Sequence, residues 1–84
     1  MNGSKTVISI KEYGKVNIKL KTIIEQKGMT RGALAKLTNT RFEVIDKWCR
    51  NNVEKLDLDV LARICYALEC LPCDIIEYSE PQEM

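Results

Sequence analysis

The residues able to do chemistry in this sequence are its thiols and its charges. Four cysteines, Cys49, Cys65, Cys70 and Cys73, all lie in the second half, and Cys70-x-x-Cys73 is the only metal-like spacing. A structural zinc site takes four thiolate or imidazole ligands, and with a single C-x-x-C and no histidine in the chain, no metal is expected. Cys65 falls on an apolar helix stripe, where a small thiol is a common core filler. A disulfide framework would leave the first half without a staple, so the cysteines read as thiols in a reducing compartment. The absence of histidine removes Ser-His and Cys-His pairs, no glycine-rich loop is available to cradle phosphate, and the acidic residues scatter instead of converging. No enzymatic activity, no cofactor and no small-molecule substrate are expected.

Charge is the second resource. The net charge of +1 hides a division: Lys5 to Arg41 carries nine basic residues against Glu12 and Glu25, whereas Phe42 to Met84 carries four against ten acidic ones. Such polarity points to an anionic partner for the first half. The plainer reading is that Lys11, Lys15, Lys19, Lys21 and Lys27 solvate exposed faces.

Eighty-four residues make one domain near the lower end of what folds alone. With 45% hydrophobic and 30% charged residues the composition is that of a globular protein. No apolar run approaches the roughly 20 residues that span a bilayer, and MNGSKTVISIKEYG lacks the pattern of a secretory leader. A cytoplasmic protein without membrane contact is expected.

These groups must be positioned by short helices. Thr6 to Lys11 (TVISIK) is β-branched and predicts a strand or extended arm, whose partner would be the Ile75 to Tyr78 segment or its own copy in a second chain. Val16, Leu20, Ile23 and Ile24 share one helical stripe, with Asn17 as a cap and Gly28 as a stop. Thr30 can cap a two-turn helix carrying Ala33, Leu34 and Leu37, which Asn39 can end in the left-handed conformation. Thr40 and Glu43 have the form of a capping box for a third helix that buries Val44, Ile45 and Trp48. Arg50-Asn51-Asn52 closes that helix. Asp57 or Asp59 begins a fourth, with Leu58, Leu61, Ala62, Cys65 and Leu68 on its stripe, and Pro72 suits the first turn of a short fifth through Ile75 and Ile76.

MTRGALAKLTNTRFEVIDKW, residues 29–48, resembles the helix-turn-helix of the Cro and phage-repressor class of bacterial transcriptional regulators, the XRE family. The matching positions are Ala35, small where the two helices touch, Asn39 at the turn, and Ile45 and Trp48 beneath the recognition helix. LDLDVLARICYALECLPCDIIEY is similar to that family's fourth and fifth helices. The resemblance covers about residues 16–78 and implies an all-α fold: a five-helix, lambda-repressor-like DNA-binding domain. The helix-turn-helix would span about 30–50, with an N-terminal strand or extended arm over 1–15 and a disordered extended tail over 79–84. The sequence departs from the pattern at three places. Asn39 stands where glycine is usual, Thr40 where an apolar residue plugs the corner, and Arg41 where serine or threonine caps.

The resemblance also implies roles. Thr30 and Arg31 would meet phosphate at the start of the second helix. Arg41, Phe42, Glu43, Asp46 and Lys47 would face base edges: Arg41 toward guanine O6 and N7, Phe42 toward a thymine methyl, Glu43 toward cytosine N4. Lys47, Arg50, Asn51, Asn52 and Lys55 would be phosphate contacts. Each has another explanation, since Glu43 can complete the cap with Thr40 and Asp46, which phosphate would repel, can pair with Arg50 four residues on. The expected partner is double-stranded DNA, bound by a homodimer on half-sites about 34 Å apart. The alternative is a protein-interaction module, an anti-repressor or adaptor, that keeps the fold without reading bases.

Overall fold

The computed structural model describes residues 13–81. In chain order it runs β1 (Lys15–Ile18), α1 (Leu20–Gln26), α2 (Arg31–Thr38), α3 (Phe42–Cys49), α4 (Leu58–Leu68), α5 (Pro72–Ile75) and β2 (Ile76–Ser79). The five-helix expectation holds, and each helix contributes one side chain to the fully buried centre: Leu20, Leu34, Ile45, Ile64 and Ile75. Trp48 lies beside them, 2% exposed, as core. No helix among the described residues is long and apolar enough to cross a membrane.

The sheet differs from expectation. Thr6 to Lys11 lies outside the described residues, and the strand that pairs with the C-terminal segment is β1, antiparallel to β2 with Lys15 opposite Ser79 and Ile18 opposite Ile76. Val16 and Asn17 are therefore strand residues, and α1 begins only at Leu20, capped at Lys19 without a side-chain bond. Their helical spacing was overridden by pairing with β2. Asn17 donates from Nδ2 to Ser79 Oγ at 3.0 Å instead of capping a helix. Ser79, assigned from sequence to a disordered tail, is paired, while residues 82–84 lie outside the described part. Gly14 enters β1 at φ +82°, and a Cβ there would lie 2.2 Å from the Ser79 carbonyl oxygen, so only glycine fits.

One device ends four helices. Gly28, Asn39, Asn51 and Glu69 all have positive φ, and the amide after each reaches back five residues: Met29 to Ile24, Thr40 to Ala35, Asn52 to Lys47 and Cys70 to Cys65, at 2.9–3.1 Å. These bonds satisfy carbonyls that a helix end leaves open. Gly28 and Asn39 were readable as stops; Glu69, which has no special tolerance for this conformation, was not.

Helix starts follow the sequence at Thr30, whose Oγ1 accepts from Ala33 N, and at Asp57, whose carboxylate accepts from Asp59 N and Val60 N. The Thr40–Glu43 capping box does not form. The cap of α3 is Arg41, without a side-chain bond, and the Thr40 hydroxyl instead donates to Thr38 O at 3.1 Å. Two stripes are rotated. On α2, Leu34 and Ala35 are buried with Thr38, while Ala33 and Leu37 are exposed. On α4, Val60, Leu61, Ile64 and Leu68 are buried and Leu58 and Ala62 are exposed. α4 is apolar over a wide arc, so two overlapping stripes compete, and the one carrying the larger Ile64 packs inward.

Candidate nucleic-acid interface

α2 and α3 are joined by a corner that is fixed from several sides. Asn39 adopts φ 53°, ψ 46°, and its amide and that of Thr40 bond to Lys36 O and Ala35 O. Thr38 is buried, and its hydroxyl donates to Leu34 O at 2.8 Å, which satisfies it inside the core. Arg63 of α4 then donates from Nη1 to Asn39 O at 2.9 Å and Thr38 O at 3.2 Å, while its Nε pairs with Asp59 at 2.9 Å. A guanidinium thus caps the negative end of α2 and pins the turn from behind. No sequence pattern pointed to Arg63 in this role, because the contact spans 24 residues; only its local spacing from Asp59 was visible.

The helix pair is braced a second time, between the start of α2 and α3. Asp46 on α3 accepts from Arg31 Nη1 at the start of α2, 2.5 Å, and from Arg50 Nε one turn on, 2.8 Å. The Arg31 hydrogen bond is the largest cause of an Asp46 carboxyl held below the usual carboxylate range, with the Arg50 charge adding to it; the same bond raises the Arg31 guanidinium. The i+4 pairing of Asp46 with Arg50 was foreseen, and the link to Arg31 was not. Asp46 therefore cancels part of the charge of two arginines and ties the helices together.

Because α3 turns Ile45, Trp48 and Cys49 inward, its outer surface carries Arg41, Phe42, Glu43, Lys47 and Arg50, all exposed. Phe42 is half-exposed at 50% and has no place in the core. Thr30 and Asn52 are exposed nearby in sequence, at the start of α2 and just past α3, as is Lys55 in the following loop. The Thr30 oxygen is occupied by its capping bond, which leaves the hydroxyl proton free to donate outward.

Asn51 is placed differently. It sits at φ 59°, its Oδ1 accepts from Ile18 N at 2.7 Å, and its Nδ2 donates to Asn17 Oδ1 at 3.1 Å. The side chain covers the free edge of β1 and locks the end of α3 to the sheet.

Among the described residues no group of three or more potential ligands could hold a metal ion. The cysteines are free: Cys49 is buried, Cys65 and Cys70 are partly buried, and Cys73 is exposed. Burial pushes the Cys49 thiol up, the direction of an inert core thiol.

No curated protein matches the chain. Among solved structures, the transcriptional regulator VanUg is 26% identical with a TM-score of 0.67, over 94% of this chain and 100% of that one. A candidate DNA-binding protein from Bacteroides fragilis is 24% identical with a TM-score of 0.66, over 75% of this chain and 100% of the other, a likeness of fold. The model of the Cro/C1-type HTH DNA-binding domain matches residues 19–81, from the residue before α1 to beyond β2. The chain therefore belongs to the Cro/C1-type helix-turn-helix family, and is a DNA-binding domain rather than an enzyme.

Proposed function

We propose that the protein is a sequence-specific double-stranded-DNA-binding transcriptional regulator, a small cytoplasmic repressor that lays α3 in the major groove. The observation that carries this reading is the braced corner. Arg63 holds the turn that follows α2 and the Arg31–Asp46 bridge ties α3 to α2, while the exposed side chains of α3 have no partner in the core. A groove about 12 Å wide accepts one such helix.

Arg41, Phe42 and Glu43 read bases, toward guanine, a thymine methyl and cytosine N4 respectively. Thr30, Arg31, Lys47, Arg50, Asn52 and Lys55 reach phosphate. Asp46 contributes by orienting its two arginines, and Asn51 by anchoring the end of α3. Likeness to the transcriptional regulator VanUg supports a regulatory role. A domain that occupies its site needs no further chemistry to repress. The regulator works as a homodimer on half-sites about 34 Å apart.

A second reading, an anti-repressor or adaptor on the same fold, draws on Glu43, an exposed acid in the first turn of α3 that makes no ion pair among the described residues. A salt titration separates the two. Binding to duplex DNA should weaken as log salt rises, with a slope of about −0.9 per phosphate contacted. Lys47→Ala should make that slope shallower by roughly one contact for all sequences, whereas Arg41→Ala should change base preference. Absence of duplex binding at low salt would favour the adaptor, and two variants indistinguishable from the parent would remove α3 from the groove.

A further inference from the structure

The thiols are a chemical resource that the DNA-binding corner leaves unused. Sequence spacing directs attention to Cys70-x-x-Cys73, but the fold brings Cys70 to a different cysteine. Glu69 ends α4 in the left-handed conformation at φ 52°, and the chain turns back so that Cys70 N donates to Cys65 O at 3.1 Å. With fixed covalent geometry on either side of that bond, the two α carbons lie within about 7 Å of each other, and a disulfide spans about 4.4 to 6.8 Å. Cys65 and Cys70 are both partly buried and line the same open groove, whereas Cys73 is exposed. Burial first, and then the adjacent Cys65 thiol and the Asp74 carboxylate, push the Cys70 thiol up. A thiol held protonated exchanges slowly, which limits its rate of reaction but not its choice of partner at equilibrium.

We propose that Cys65 and Cys70 form a reversible dithiol–disulfide site, oxidised by small-molecule disulfides of the glutathione class, that clamps the joint between α4 and α5. One cysteine thiolate attacks the small disulfide, forming a mixed disulfide and releasing one thiol. The other cysteine thiolate then attacks the protein sulfur of that mixed bond and releases the second thiol. Two electrons and two protons pass from the pair to the reagent, which leaves as two reduced molecules. The new bond closes a short loop over the left-handed turn at Glu69, where the backbone already holds the two residues together. It therefore removes conformations from the unfolded chain while asking little movement of the folded one. Neither α3 nor its corner lies within the loop, so the site acts on the stability of the α4–α5 joint and its test needs no DNA.

Equilibration of the full chain, at low micromolar concentration, with mixtures of reduced and oxidised glutathione provides that test. Cleavage after Glu69 places Cys65 and Cys70 on separate peptides, so mass spectrometry reads their bond directly. The native chain should form it in a single two-electron transition. The effective concentration of the pair should be about tenfold or more above that of the same chain in concentrated urea, the factor by which the bond favours the folded state. Cys73→Ser should leave the transition in place, and Cys70→Ser should abolish it. A bond mapped to Cys70 and Cys73 overturns the assignment. So does an effective concentration no higher in the native chain than in urea, because the fold then does nothing to bring the pair together.

Discussion

Asn51 offers a test in which the structure fixes two separable magnitudes. Its Oδ1 is the acceptor for Ile18 N at 2.7 Å, and Ile18 is buried, 8% exposed. Removing the amide leaves that N–H without its partner, which costs about 1–3 kcal/mol. The residue also sits at φ 59°, where a Cβ-bearing residue other than asparagine or aspartate is penalised by roughly 1–2 kcal/mol. Asn51→Ala incurs both losses and should destabilise by about 2–5 kcal/mol. Asn51→Gly incurs the first but relieves the second, and should recover roughly 1 kcal/mol relative to alanine. Urea unfolding followed by far-UV circular dichroism measures both, with an unchanged m value as the condition for comparison. At concentrations where Asn51→Gly is folded, the salt slope of its DNA binding should equal that of the parent, since the side chain faces the sheet. An Asn51→Ala variant within about 0.5 kcal/mol of the parent would refute the reasoning, as that is the range of an uninvolved surface residue. A glycine variant no better than alanine would refute the backbone part of it.

Acid should act through Asp46. Its carboxyl is lowered first by the Arg31 hydrogen bond and further by Arg50, so its stabilisation is complete above the unfolded carboxylate value of about 3.9 and is lost as pH falls through the lower folded value. Stability measured across that window should fall more steeply for the parent than for Asp46→Asn. Arg63→Ala uncovers the Thr38 and Asn39 carbonyls and should cost about 1–2 kcal/mol; amide exchange at Asn39 to Arg41 should accelerate before the rest of the domain. Glu69→Gly relieves a non-glycine residue at φ 52° and should stabilise the monomer by about 1 kcal/mol, read by thermal unfolding at concentrations too low for self-association.

What the sequence disclosed and what it withheld divide along physical lines. Local signals survived folding: Thr30 and Asp57 cap as their side chains dictate, Asn39 turns left-handed, and Ile45 and Trp48 are buried. Non-local competition defeated the rest. Val16 and Asn17 fit a helical stripe equally well, and only pairing with Tyr78 and Glu77 makes them strand residues. On α4 the apolar arc was too wide for periodicity to choose its inward edge, so Leu58 was assigned to a core from which it is 71% exposed. At the candidate site, the outward set Arg41, Phe42, Glu43, Asp46 and Lys47 follows from the family resemblance; four of the five are exposed, and Asp46 is partly covered by its bridge to Arg31 and Arg50. The bracing by Arg31, Arg63 and Asn51 was not legible, because those bonds join residues 15 to 34 apart in sequence. Such contacts leave no periodic trace.

Recognition of DNA by this domain requires α3 to present its outer face to a duplex. Amide chemical-shift mapping tests this most directly, with the protein titrated by a duplex selected from a random pool for tightest binding. The largest shifts should fall at Thr30 to Gly32, Arg41 to Glu43 and Lys47, with β1 and β2 little changed. Shifts confined to α4 and α5, or absent from α3 at saturation, would contradict it.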